Sequence, residues 1–185
     1  SYIKINPNSK NVLIHIDIDN MSLCNNIFGY EYGNVLLKEF ASKLKGITSK
    51  NTIICKAAGD KFLLFVKNIT NQAELVVFIE NLHNTLKKPY TTATESGEFT
   101  ASMGIARYPN DGTDFKSLSI ASEYAAKTAK INGSGSYAFF NNNMQTLANF
   151  SSEENLGKIN NREGEFQPTF VPVVDGKTNE LICYD

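Results

Sequence analysis

Three aspartates stand where the sequence places strand ends and a turn: Asp17, Asp19 and Asp60. Side chains alternate with period two along a strand, so Asp17 and Asp19 are expected on one face at the end of a first strand. Asp60 falls at the tip of an expected hairpin, from which it could meet them across a neighbouring strand. Two converging carboxylates suit a hard divalent cation. Mg²⁺ binds through one or two carboxylates together with phosphate oxygens, and it would bridge a nucleoside triphosphate to such a pair. Strand-end carboxylates also act as solvated caps and turn formers, and spacing alone leaves that reading open.

The elements that must position these groups follow from the apolar pattern. Val12, Ile14, Ile16 and Ile18 alternate with Leu13, His15 and Asp17, which predicts a central strand ending in carboxylates. A short helical stretch is expected to about Phe28. Gly29 breaks it, and Leu36, Phe40, Leu44 and Ile47 recur beyond at helical spacing. Ile53–Cys55 and Phe62–Val66 are apolar runs separated by a short polar segment around Gly59, the signature of a β-hairpin. Asn71 with Glu74 marks a helix start, and Leu75, Ile79, Leu82 and Leu86 form its stripe ahead of Pro89. Phe99, Ala101, Met103 and Ile105 predict a further strand closed by the turn Pro109-Asn110-Asp111-Gly112. An Ala-rich helix from about Asp114 to Lys130 then leads through a Gly-Ser loop into a last strand at Tyr137–Phe140. The order βααββαβαβ implies an α+β fold, a mixed and mostly antiparallel sheet flanked by helices. The segment 141–162 is polar and Asn-rich, which suits a linker with helical character. Phe166–Val174 and Leu181–Tyr184 resemble a hairpin belonging to a unit that continues past residue 185.

Composition narrows the function classes. A chain of 185 residues with 42% hydrophobic content can bury one full core. A net charge of −1 supplies no field for a nucleic-acid backbone or an anionic membrane, so neither polymeric nucleic acid nor membrane contact is expected. Cys24, Cys55 and Cys183 are too few and too widely spaced for a disulfide framework. They are expected as buried thiols in a reducing, cytoplasmic setting. No apolar run reaches the length needed to span a bilayer.

The segment Ile16-Asp17-Ile18-Asp19-Asn20, through Asn25, to Gly29-Tyr30-Glu31-Tyr32-Gly33-Asn34 resembles the first signature of the GGDEF, or diguanylate cyclase, family. Ala58-Gly59-Asp60-Lys61-Phe62 falls where the family's name-giving hairpin stands. Ser102-Met103-Gly104-Ile105-Ala106 with Tyr108-Pro109, and Ala129-Lys130 before Gly133, are similar to two further family segments in order and spacing. These matches cover about residues 10–140, so the resemblance implies a GGDEF-like domain over 1–140. It also implies a reaction: two GTP-loaded domains face each other as a homodimer, and each 3′-hydroxyl attacks the other's α-phosphate to give cyclic di-GMP and pyrophosphate. By position Asp17, the Ile18 carbonyl and Asp60 would hold Mg²⁺. Asn25 and Asn34 would contact guanine, Ala58 and Gly59 would line the nucleotide, and Lys130 would contact phosphate.

The departures from the family pattern matter as much. Ala58 replaces a glycine where backbone must approach the nucleotide, Asn34 replaces an acid, and Ser134 stands where a phosphate-binding arginine is usual. Lys61 replaces a glutamate at a catalytic position, a reversal of charge beside the metal. Ser49 and Thr52 stand in place of the product-inhibition motif. From residues alone, Lys61 reads equally as a solvated hairpin lysine, Lys130 as a helix C-terminal cation and Asn25 as a cap. Glu165-Phe166 and Phe170-Val171-Pro172-Val173-Val174 with Asp175-Gly176-Lys177-Thr178 resemble the opening of an EAL phosphodiesterase domain over 163–185, too short to hydrolyse anything. The expectation is a degenerate, catalytically impaired GGDEF domain of a tandem GGDEF-EAL signalling protein, with GTP, Mg²⁺ and its own EAL domain as partners. The alternatives are a working cyclase and a nucleotide-free dimerisation module.

Overall fold

The computed structural model describes residues 2–69, 71–87, 90–91, 96–144, 172–174 and 181–184. The chain falls into two compact units, Ser1–Ala148 and Asn149–Asp185. In the first, a short helix α1 (Tyr2–Ile5) precedes β1 (Asn11–Ile18), the long helix α2 (Met21–Ile47), the hairpin β2 (Thr52–Lys56) and β3 (Lys61–Val66), and α3 (Gln72–Leu86). A two-residue ladder, β4 (Tyr90–Thr91) with β5 (Ser96–Gly97), leads to β6 (Ala101–Tyr108), α4 (Phe115–Ile131) and β7 (Tyr137–Phe139). Five strands form one sheet in the order β2-β3-β1-β6-β7, antiparallel except for the parallel β6–β7 pair. In the second unit β8 (Pro172–Val174) and β9 (Leu181–Tyr184) pair antiparallel. The rest of the expected EAL-like segments, Pro89, and the expected linker beyond residue 144 lie outside the described residues.

β1 is central because both its faces are apolar and both are covered. Val12, Ile14, Ile16 and Ile18 pack with Leu36, Phe40 and Leu44 of α2 and with the α3 stripe Leu75, Ile79, Leu82 and Leu86. Leu13 on the opposite face packs with Leu118, Ala121 and Ala125 of α4. Burying each large aliphatic side chain of this kind stabilises by about 1.5–3 kcal/mol, so the alternation on β1 fixes which helices lie on which side. Phe40 joins the layers further, its ring 5.3 Å from Phe62 and stacked 5.8 Å from Tyr90.

Helix ends follow the local chemistry. Asn71 caps α3 by accepting from the Ala73 N–H, and Asp114 caps α4 in a reciprocal box with Ser117. The break expected at Gly29 is a kink inside α2, where the backbone takes φ 83° and ψ 162°. Two expectations need correction. Asp19 follows β1 rather than extending it, because the chain already turns at Asn20, which is left-handed with φ 58°. Cys24 is buried but Cys55 is exposed, on β2 at the edge of the sheet.

α4 crosses β6 over Gly104, where an added Cβ would lie 2.0 Å from the Ser122 carbonyl oxygen and 2.1 Å from the Ala126 nitrogen. Backbone cannot step aside as a side-chain tip can, so the helix must lift off the sheet. Gly104→Ala is expected to destabilise the domain by about 3 kcal/mol, measured as a shifted midpoint in urea unfolding.

Candidate functional site

The carboxylates gather where β1 ends. Asp17 lies directly across the ladder from Lys61 on one side and Ser102 on the other, and residues so paired point to the same sheet face. The Ile18 N–H donates to the Asp60 carbonyl at 3.3 Å, which holds the β2–β3 hairpin tip against the end of β1. Lys130, in the last turn of α4, donates from Nζ to Asp17 Oδ1 at 3.0 Å and stands 4.0 Å from Asp19 Oδ1. Burial would lower the Lys130 pKa, but the Asp17 hydrogen bond and the charges of Asp17, Asp19 and Asp60 raise it further, and the net shift is upward. All three aspartates therefore act on one ammonium.

Their roles differ. Asp19 is buried, and its carboxylate accepts from Thr100 Oγ1 at 2.7 Å, Ser102 Oγ at 2.8 Å and the Gly135 N–H at 2.8 Å. Its own N–H donates to the Thr100 carbonyl at 2.9 Å. Asp19 thus ties the start of α2 to β6 and to the α4–β7 loop, and its oxygens are already committed. Asp17 is the more accessible carboxylate, held by a lysine whose side chain is 43% exposed.

A pocket of about 320 Å³ opens beside the hairpin tip, lined by Met21, Ser22, Asn25, Tyr30, Asn34, Leu37, Gly59 and Asp60. The α2 kink at Gly29 lets both segments of that helix contribute. Gly59 has φ 61° at the tip, a conformation glycine adopts without strain. Gly33 makes room for Asn25, since a Cβ there would lie 2.0 Å from Asn25 Oδ1. That oxygen is buried against Gly33 and has no hydrogen-bond partner within the protein. Of the expected nucleotide-binding residues the structure brings Asn25, Asn34 and Gly59 into this pocket. Ala58 contributes its carbonyl to the turn, accepting from the Lys61 N–H at 3.2 Å, and Lys130 stands with the carboxylates instead. Met21, Ser22, Tyr30, Leu37 and the clearance at Gly33 were not singled out from sequence. Their signal was present as helical spacing, Met21 four residues before Asn25, and Tyr30 four before Asn34 and seven before Leu37.

The profile described as "Diguanylate cyclase, GGDEF domain" matches residues 3–136. The chain belongs to the GGDEF family. Domains of this family occur in cyclic di-GMP signalling proteins and are nucleotidyl cyclases that generally use Mg²⁺. The chain is similar to the bifunctional diguanylate cyclase/cyclic di-GMP phosphodiesterase MucR of Pseudomonas aeruginosa, 29% identical over 136 residues that cover 74% of this chain and 20% of MucR. It is also similar to the cyclic di-GMP phosphodiesterase NbdA of the same organism, 24% identical over 174 residues covering 91% of this chain and 22% of NbdA. The chain therefore spans less than a quarter of the length of either relative. Among solved structures, the GGDEF domain of YfiN (TpbB) from P. aeruginosa PAO1 superposes with a TM-score of 0.74 at 18% identity, covering 80% of this chain and 86% of that one. An EAL/GGDEF domain protein from M. capsulatus gives 0.69 at 24% identity, covering 74% and 88%. Both likenesses establish the GGDEF fold, with its mixed sheet flanked by helices. No helix among the described residues is long and apolar enough to cross a membrane.

The two strand-end aspartates separate by mutation. Asp19→Ala strands three donors and is expected to destabilise by about 3 kcal/mol. Asp17→Ala breaks a partly exposed ion pair and is expected to cost less than about 1 kcal/mol. Chemical denaturation of both variants checks the contrast.

Proposed function

We propose that this GGDEF domain is a catalytically impaired regulatory module that takes a guanine nucleotide in the Asn25–Asn34 pocket and signals to an EAL domain in the same protein. The nucleotide part rests on Asn25 and Asn34 lining one pocket, two amides that suit the N–H donors of guanine once the buried, unpaired Asn25 oxygen turns toward the base. Asn34 offers one amide oxygen where a carboxylate would offer two, so base recognition is weaker than in a pocket with an acid there.

The loss of catalysis rests on a single observation. The carboxylate positioned to share a cation, Asp17, already holds the Lys130 ammonium and faces Lys61 across the ladder. A Mg²⁺ site would use Asp17, the Ile18 carbonyl and Asp60, yet the Lys61 charge now stands beside that set in addition to Lys130, and Asp19 is committed to three donors. This donor set does not fit the ion. With Lys61 in the place of a glutamate, the site also lacks a carboxylate that could take part in proton transfer at the attacking hydroxyl. In the parent protein we assign residues 1–140 to this domain, 141–162 to the linker and 163–185 to the beginning of the EAL domain. Homodimerisation and a cytoplasmic location belong to the same reading.

Two measurements test it. Purified, concentrated protein given GTP and Mg²⁺ is expected to form no cyclic di-GMP, followed by chromatography, and steady production would overturn the loss of catalysis. If Lys61 limits an otherwise working cyclase, Lys61→Glu restores product, whereas a fully regulatory module stays silent. Gly33→Ala is expected to push the Asn25 side chain out of the pocket and weaken GTP binding about tenfold. The fold should survive, because the atoms in the way, Asn25 Oδ1 and Met21 Cε, end flexible side chains.

A further inference from the structure

We propose that the nucleotide held in this pocket is bound without a divalent cation, the ammonium groups of Lys61 and Lys130 facing its phosphates where a metal would otherwise stand. The proposal rests on the nucleotide reading above and adds to it the ionic form of the ligand.

The charges at the end of β1 and on the hairpin tip beside the pocket carry the argument. Asp17, Asp19 and Asp60 act on Lys130, Lys61 stands across the ladder from Asp17 and Lys56 at the hairpin turn, so three positive charges offset these three carboxylates. A glutamate at 61 would leave the set two charges negative, the condition that draws a divalent cation. Lys56 sits at the same turn, its Nζ donating to the carbonyls of Ala57 and Gly59. Lys61 lies directly across the ladder from Asp17, so the two side chains leave the same face of the sheet. A Mg²⁺ ion arriving with the nucleotide must displace Lys130 from Asp17 and sit against Lys61, whereas a metal-free triphosphate meets both lysines with opposite charge. Lysine ammonium serves this role well as a compact point charge with three donors and no fixed geometry.

Position agrees with charge. Gly59 and Asp60 form the rim of the base pocket and Lys61 is the next residue, so phosphates leaving the pocket over that rim reach Lys61 first. Lys130 comes to the same place from the opposite side of β1, carried by the last turn of α4. The Asp17–Lys130 pair then acts as a latch: phosphate draws the ammonium away and leaves Asp17 facing Lys61.

The test is calorimetric titration of the whole chain with GTP and with guanosine, each in excess EDTA and in millimolar Mg²⁺. We expect GTP to bind at least as tightly in EDTA as in Mg²⁺, and about tenfold more tightly than guanosine in EDTA. Lys61→Glu is expected to reverse the metal preference, lowering affinity in EDTA about tenfold and making binding depend on Mg²⁺. GTP binding by the unaltered protein that appears only with Mg²⁺, or guanosine binding as tightly as GTP in EDTA, overturns this inference and leaves the regulatory reading standing. Absence of binding by either ligand in both buffers overturns the nucleotide reading together with it.

Discussion

The buried carboxylate of Asp19 organises this domain. Two hydroxyls and a backbone N–H converge on it, from Thr100, Ser102 and Gly135, and these come from the approach to β6, from β6 itself and from the α4–β7 loop. Buried charge is costly unless its hydrogen bonds are made, and here they are made by segments far apart in the chain. One side chain thereby fixes where β1 stops, where α2 begins and how the end of α4 approaches the sheet. Asp17 and Lys130 face each other because Asp19 has already set the spacing between their elements.

Against that fixed frame the functional chemistry turns on a balance of charge. In this domain β1 and α4 bring Asp17, Asp19 and Lys130 together through strand and helix placement, independently of the residue that opens β3. With Lys61 in that position the same frame presents alternating charges rather than an acidic cluster. Lys61 does not disturb the ladder, since a long side chain at the first residue of a strand can reach solvent. The fold thus accepts a cation at this position without a change in the ladder.

Much of this was legible in the sequence. The apolar alternation of β1, the α3 stripe, the helix start at Asn71 and the Ala-rich helix from about Asp114 all depend on spacing along a short segment, and the structure has them as that spacing predicts. The break at Gly29 was equally clear, because glycine's freedom leaves a local mark. What could not be read was the partnership of groups distant in sequence. That Asp19 is saturated by residues more than 80 positions away, while Asp17 meets Lys130 at a separation of 113, depends on strand order and on the angle of α4. Burial of Cys55 was misjudged for a related reason: its strand looks like any other until the sheet order places it at the edge. The clearance at Gly33 was also hidden, since it is a property of the space above a helix and leaves no periodic trace.

The kink at Gly29 reaches further than a change of direction. Asn25 and Asn34 are nine residues apart, which on a straight helix of 3.6 residues per turn is about two and a half turns. An unbroken α2 would therefore aim the two amides to opposite sides of its axis. The single positive-φ residue Gly29 resets the phase of the second segment, so that both residues line one cavity. The shape of this pocket is thus a matter of helical phase as much as of side-chain identity.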